Sequence, residues 1–238
     1  MPQPTADEVD FQFAHHIVGR TKFSVLPVKE AQLLPPETYI SEKFWAFEKH
    51  AIFSREWLCI AHVNELPDVG DYLPLTVLNE PVVVVRDEKR NVRVLSAICR
   101  HRGHPLVGGV MENPQPGRCM NASRLTCPYH NWVYGLDGRL LGAPSMSETT
   151  PVSVLRDNMH LPEIRSEIFH GLVFLNFNDD PPPLAPSLAK LNDEFASYGL
   201  EKLIPGHVFP QESLKWNWKL HHENALEPYH TSYVHKGY

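Results

Sequence analysis

The chain has 238 residues, a formal net charge of -6, 14 histidines, 22 prolines and 4 cysteines. That length buries enough surface to fold without covalent staples, the acidic balance excludes an electrostatic pull toward nucleic acid or an anionic membrane, and four scattered cysteines exclude a secreted disulfide framework. The start, MPQPTADEVDFQF, lacks the basic end and apolar core of a leader, and no run reaches the ~18 apolar residues of a membrane span, so the expectation is a cytoplasmic protein.

Residues 1–40 show no sustained period and carry Pro27, Pro35 and Pro36, which reads as an arm. From Ser41, a candidate N-cap, Phe44, Phe47 and Ile52 fall on one helical face. Short β-rich runs follow: EWLCIAHV, DYLPLTVL, PVVVVRD and VRVLSAIC, separated by Pro, Gly, Asp and Asn. They predict a compact antiparallel β unit that continues through WVYGLDGRLLG, with a hairpin at Asp137-Gly138, to a strand FHGLVFLNFN. The prolines at 181–183 mark a boundary, and LAPSLAKLNDEFASYGL reads as helix. The last segment begins strand-like at HVFPQESL and turns helical around Asn217. The expected division is an arm and helix over 1–50, a β domain over 51–180 and the start of a further domain over 181–238.

Two short stretches carry chemistry. In CRHRGHPL, Cys99 and His101 stand two apart; in CPYHNW, Cys127 and His130 stand three apart, with 25 residues between His101 and Cys127. Both pairs adjoin strands, so each belongs at a hairpin tip, where a turn can aim two side chains at one point. Two thiolates and two imidazoles are the ligand set of a Rieske [2Fe–2S] centre, with the cysteines on one iron and the histidines on the other. Pro128 would stiffen the second loop, Gly103 would let backbone pass close to sulfur, and Trp132 would form a hydrophobic wall. The competing reading is a structural zinc site, against which stands the alternating Cys, His, Cys, His order. Cys119 matches no motif position and reads as an unligated thiol, Cys59 as a packed core cysteine, and His15 and His16 as surface residues.

CRHRG and CPYHNWVYGLDGRL resemble the Rieske domain of the Rieske non-haem iron (aromatic-ring-hydroxylating) oxygenase α subunits, across roughly residues 50–180. The family pattern Cys-x-His-Arg-Gly, then Cys-Pro-Tyr-His-x-Trp, is matched at every position. ENPQPGRCMNASR departs from it as an inserted loop that would alter partner docking. The resemblance implies a mainly β Rieske [2Fe–2S] domain followed by the beginning of an α+β helix-grip (START-like) catalytic domain, and it allows His104 a role behind the ligands.

A second constellation lies in NWKLHHENALEPYHTSYVH, where Glu223, Glu227 and His230 fall at i, i+4 and i+7, on one face if the helix is continuous. His235 leaves that stripe, so for His230 and His235 to share a metal the helix must bulge or end between them. Taken alone, the stretch reads equally as a solvated face. It resembles the family's catalytic motif Glu-Asn-x-x-(Asp/Glu)-x-Tyr-His-x4-His. The resemblance implies His230 and His235 as ligands of a mononuclear Fe(II), Asn224 as an asparagine near that iron, and Glu227 as an acid bridging His230 to His130 of the partner subunit. Glutamate at 227 is similar to relatives acting on quaternary ammonium or N-methylated substrates. His221 and His222 match no ligand position.

The family's third iron ligand is an acid further along than Tyr238, so the expectation is a piece of a longer subunit. For the whole enzyme the resemblance implies electrons from NAD(P)H through a flavin reductase, in some members with a ferredoxin. With dioxygen, a small organic substrate, aromatic or quaternary ammonium/N-methylated, would be hydroxylated or dealkylated by a homotrimer or α3β3 assembly. Two other readings are an electron carrier without a working mononuclear iron and a zinc-stabilised binding module.

Overall fold

A computed structural model describes residues 9–107, 117–119, 123–146, 150–204, 206, 215–235 and 237. The helices are α1 (Phe11–Thr21), α2 (Glu37–Ile40), α3 (Glu42–Glu48), α4 (Val152–Arg156), α5 (Leu184–Leu188), α6 (Asn192–Tyr198), α7 (Trp218–Leu226) and α8 (Thr231–Val234). The strands are β1 (Leu58–His62), β2 (Asp71–Val77), β3 (Glu80–Arg86), β4 (Val92–Ser96), β5 (Gly117–Arg118), β6 (Arg124–Thr126), β7 (Val133–Gly135), β8 (Leu140–Gly142), β9 (Glu163–Phe169) and β10 (Leu172–Asn176). They divide into two compact units, one within Phe53–Pro210 and one made of Pro4–Ile52 with Gln211–Tyr238.

The first unit is mainly β, as expected. Its larger sheet runs β1-β10-β9-β4-β3-β2-β5, and its smaller sheet runs β6-β7-β8. All their pairings are antiparallel. The run PVVVV is apolar at every position because β3 is covered on both faces. Val83 and Val85 pack with Leu125, Tyr134 and Leu140 of the smaller sheet, whereas Val82 and Val84 pack with Leu73, Val173 and Leu175 on the other side. Each buried valine contributes about 1.5–3 kcal/mol by leaving water. This double burial anchors the β3–β4 ribbon that runs into the Cys99 loop.

Three expectations need correction here. FHGLVFLNFN is not one strand: β9 ends at Phe169, and His170 and Gly171 reverse the chain with φ of +46° and +84° before β10 begins. The helix expected over LAPSLAKLNDEFASYGL is broken into α5, a 3-10 turn at Ala189–Leu191 and α6, and it stops where Gly199 adopts φ +58°. Cys59 is exposed rather than packed, because β1 is an edge strand and residue 59 points outward. The segment after the proline run packs on this unit, with Trp57 Nε1 donating to the Pro182 carbonyl at 2.8 Å and Leu184 N to Glu167 Oε2 at 3.1 Å.

In the second unit the supposed arm contains α1, capped by Asp10, whose Oδ1 accepts from Phe13 N at 3.0 Å. Ala14 and Ile17 bury against Phe44, and this tertiary contact stabilises a helix that the mixed polar sequence hides. Ser41 caps α3 as expected, accepting from Phe44 N at 3.3 Å. Asn217 caps α7. The strand expected over 207–214 lies outside the described residues.

Asp87 closes the β3–β4 turn. Its Oδ1 accepts from the Lys89 and Asn91 N–H groups at 2.9 and 2.7 Å, and its Oδ2 accepts from Arg93 Nε at 2.9 Å. Burial opposes ionisation, but the Arg93 and Asn91 hydrogen bonds outweigh it and hold the carboxyl below its usual range. A depressed folded pKa gives stability that is full above the unfolded value near ~3.9 and is lost as pH falls through the folded one. We expect Asp87→Asn to cost about 2 kcal/mol at pH 7 and to flatten the stability loss below about pH 4, read by denaturant melts across pH.

Candidate functional site: two ligand loops and a histidine turn

Two loops of one backbone design hold the four expected cluster ligands. The first follows β4 and is pinned by the bridge between Ile98 and Pro105; the second joins β6 to β7. In each, the cysteine N–H donates to the carbonyl five residues on, Cys99 to His104 at 2.9 Å and Cys127 to Trp132 at 2.8 Å. Each cysteine carbonyl accepts from the N–H four residues on, that of Gly103 at 3.0 Å and Asn131 at 2.9 Å. Those two donors adopt φ of +71° and +54°, the left-handed region where glycine and asparagine cost least. The φ of Gly103 is a demand on backbone angle that glycine meets at least cost.

This turn sorts the ligands by depth. Cys99 and Cys127 are each 2% exposed and lie in the core with Tyr134 and Leu136, while His101 is half-buried and His130 exposed. The two imidazole centroids are 4.7 Å apart, and His101 lies flat on Trp132 at 4.8 Å with 4° between the planes. Trp132, 2% exposed, therefore walls one side of the pair. His104 lies behind the loop, its Nδ1 2.7 Å from the Pro105 carbonyl.

Burial disfavours charge at Cys127 and at His101 alike, and at the sulfur backbone donors work against it. Burial raises the Cys127 thiol, but the Tyr129 and His130 N–H groups oppose it at the sulfur, with the Cys99 side chain in hydrogen-bonding reach. Burial lowers His101, assisted by His130 and Arg102, which keeps the imidazole in its ligating form. Tyr134 is a residue that the ligand spacing does not single out. Fully buried, its hydroxyl accepts the Arg100 N–H at 3.1 Å and lies 3.4 Å from Cys99 Sγ, where its proton is free to donate. The signal for it is the second tyrosine of CPYHNWVY, two past Trp132 and so on the same face of β7.

The donor set fits a two-iron centre: adjacent buried thiols served by N–H and O–H donors, then adjacent imidazoles nearer solvent. A single zinc ion would need all four donors around one point. Among the described residues no three His, Cys, Asp or Glu side chains gather as one ion would require. Cys119, outside both loops, is 7% exposed, and burial pushes its thiol up to about 11, which keeps it protonated.

The second constellation is not one helical stripe. Helix α7 stops at Leu226 and Glu227 is extended at φ -110°, ψ 120°, because the following Pro228 disfavours helical geometry at the residue before it. The chain then turns through Tyr229, whose N–H donates to Glu227 Oε2 at 2.8 Å, into the single turn of α8. That turn ends at Val234, so the helix does end between the two histidines and their rings meet at 5.4 Å. Glu227 Oε1 is hydrogen-bonded to His230 Nδ1, and this bond is the main cause holding the Glu227 carboxyl low. It leaves Nε2 of His230 for a metal. Asn224 is exposed on α7, and Glu223 turns away to the Tyr39 hydroxyl at 2.6 Å.

Residues 56–161 match the Rieske [2Fe-2S] domain. The carnitine monooxygenase oxygenase subunit of Acinetobacter pittii is 30% identical over 210 residues, covering 87% of this chain and 54% of that protein. The glycine betaine monooxygenase oxygenase subunit of Chromohalobacter salexigens is 32% identical over 210 residues, covering 85% and 43%. The chain therefore carries a Rieske [2Fe-2S] domain and is similar, over most of its length, to the oxygenase subunits of Rieske systems. A crystal structure of a quaternary ammonium Rieske monooxygenase in complex with L-carnitine superposes with a TM-score of 0.76 at 29% identity, over 85% of this chain and 55% of that one. The chain spans about half the length of the curated relatives it matches. None of its described helices is long and apolar enough to cross a membrane.

A hydrogen bond to a cluster sulfur stabilises the reduced, more negative state. Tyr134→Phe should therefore lower the reduction potential by a few tens of millivolts, the equivalent of about 1 kcal/mol at ~59 mV per tenfold change in a one-electron couple. Protein-film voltammetry against wild type checks the sign.

Proposed function

We propose that the protein to which this chain contributes is a Rieske oxygenase that hydroxylates or dealkylates a small quaternary ammonium or N-methylated compound. Cys99, His101, Cys127 and His130 would hold the [2Fe–2S] cluster within the domain at 51–180. His230 and His235 would hold a mononuclear Fe(II), with a third ligand supplied from outside the chain. The cluster supplies one electron at a time and the ferrous ion supplies dioxygen activation. The observation carrying this reading is the turn Glu227–His235, which brings two imidazoles together and fixes one of them with a carboxylate.

The chain's own residues have defined tasks. Trp132 and Tyr134 keep water from the sulfurs, and the paired loop turns hold the ligands against rearrangement, which lowers reorganisation on electron transfer. The Glu227 carboxylate accepts from the proton-bearing Nδ1 of His230, which fixes the tautomer and raises the basicity of Nε2. Asn224, one turn before, would stand beside the iron. In the assembled ring, Glu227 would also reach His130 of the partner subunit, and electrons would arrive from NAD(P)H through a flavin reductase, with or without a ferredoxin. The substrate class rests on the relatives named for carnitine and glycine betaine and on glutamate at position 227.

The alternative reading is a Rieske electron carrier without a working mononuclear iron. Iron analysis of the subunit expressed from its complete reading frame separates the two: three irons per chain mark the oxygenase and two the carrier. Glu227→Gln should keep three irons and an unchanged red-brown spectrum while reducing product formation from glycine betaine or carnitine by about 10–100-fold. Full activity in that variant would remove the assigned role of Glu227, and turnover of aromatic compounds alone would remove the substrate class.

A further inference from the structure

Helix α7 is tied to the N-terminal helices by contacts that the iron motif does not call for. Lys219 is 9% exposed, and its Nζ donates at 2.6 Å to Oε1 of Glu48, itself 3% exposed. The ammonium also lies 5.0, 5.7 and 5.8 Å from the ring centroids of Trp218, Phe44 and Tyr39. A buried ion pair is a poor source of stability, since desolvation opposes the attraction, but it is strict about geometry. One turn further along α7, the Tyr39 hydroxyl donates to Glu223 Oε1 at 2.6 Å. Burial, then the Glu223 carboxylate, pushes Tyr39 up to about 12, so it remains a donor. At the start of the helix, Asn217 Oδ1 accepts from Lys219 N at 3.1 Å while its Nδ2 donates to the Tyr39 carbonyl at 3.1 Å.

Residues 217, 219 and 223 of one short helix are thus each bonded to the stretch 38–48. A helix of nine residues is marginal in isolation, so such tethers decide both its existence and its rotation about its axis. The element they orient delivers Asn224 and then, three residues later, the Glu227 turn.

We propose that Tyr39 and Glu48 are positioning residues for the mononuclear iron half-site, acting through Glu223 and Lys219 to set where Glu227, His230 and His235 begin. This rests on the reading above that those histidines bind iron. The N-terminal helices, though distant in sequence, then serve the iron motif, and a substitution at position 39 or 48 reaches the metal without touching it.

The test uses the subunit from its complete reading frame, with the probe being Fe(II) followed by nitric oxide. The S = 3/2 EPR signal of the ferrous nitrosyl reports the mononuclear site, and the visible spectrum reports the cluster independently. Tyr39→Phe and Glu48→Gln should each weaken Fe(II) affinity at the mononuclear site by about tenfold and change the rhombicity of the nitrosyl signal, with the cluster spectrum unchanged. The paired apolar replacement Glu48→Leu with Lys219→Met, which removes both charges together, should recover most of the affinity. Unaltered affinity and rhombicity in Tyr39→Phe and Glu48→Gln overturns the proposal, whatever happens to the melting temperature. Should Glu48→Gln not fold, Tyr39→Phe decides alone. A wild-type subunit with no nitrosyl signal overturns the iron reading itself, an outcome recognised ahead of any substitution.

Discussion

Everything at the cluster loops depends on one backbone constraint: a cysteine whose N–H and carbonyl are both engaged within its own turn, closed by a residue in the left-handed region. The constraint appears twice, at Cys99–His104 and Cys127–Trp132, and each time it drives sulfur into the core and leaves imidazole outward. A ligand set arranged by depth in this way places donors of opposite character on two sides of a single site. Sulfur sits where N–H groups and the Tyr134 hydroxyl can meet its charge, and the His101 imidazole sits where burial, with His130 and Arg102 beside it, holds its pKa down.

The rest of the first unit serves that constraint. The β3–β4 ribbon is buried on both faces and locked at its turn by Asp87, and the smaller sheet presents Trp132 and Tyr134 on successive inward positions. The second unit follows a different logic, in which Pro228 ends one helix ahead of the motif and the short α8 stops at Val234, so that two histidines five apart can meet. Within that unit the histidine turn depends on a helix held from the N-terminal side, which joins distant stretches of the sequence in one task.

Much of this is legible in the amino-acid sequence. The cysteine and histidine pairs can be read because four ligands at fixed spacing leave few chemistries, and the β runs because Val, Leu and Ile alternate with turn residues. The requirement that the helix end before His235 follows from 100° per residue alone. What stays hidden has physical reasons. Helix α1 is stabilised by Phe44, far away in sequence, so local pattern understates it. Cys59 reads as core because its run is apolar, but edge position decides exposure and sequence does not show sheet order. Tyr134 owes its role to a sulfur thirty-five residues back. The stripe of Glu223, Glu227 and His230 fails because a proline's effect on its predecessor outweighs helical period.

Pulsed EPR on the reduced protein, with histidine labelled by nitrogen-15, addresses the arrangement of donors directly. Two inequivalent nitrogen couplings that shift with the label, one of them lost in His101→Cys and the other in His130→Cys, are what this account predicts. A signal with no histidine nitrogen coupling, or with the couplings surviving both substitutions, would contradict it.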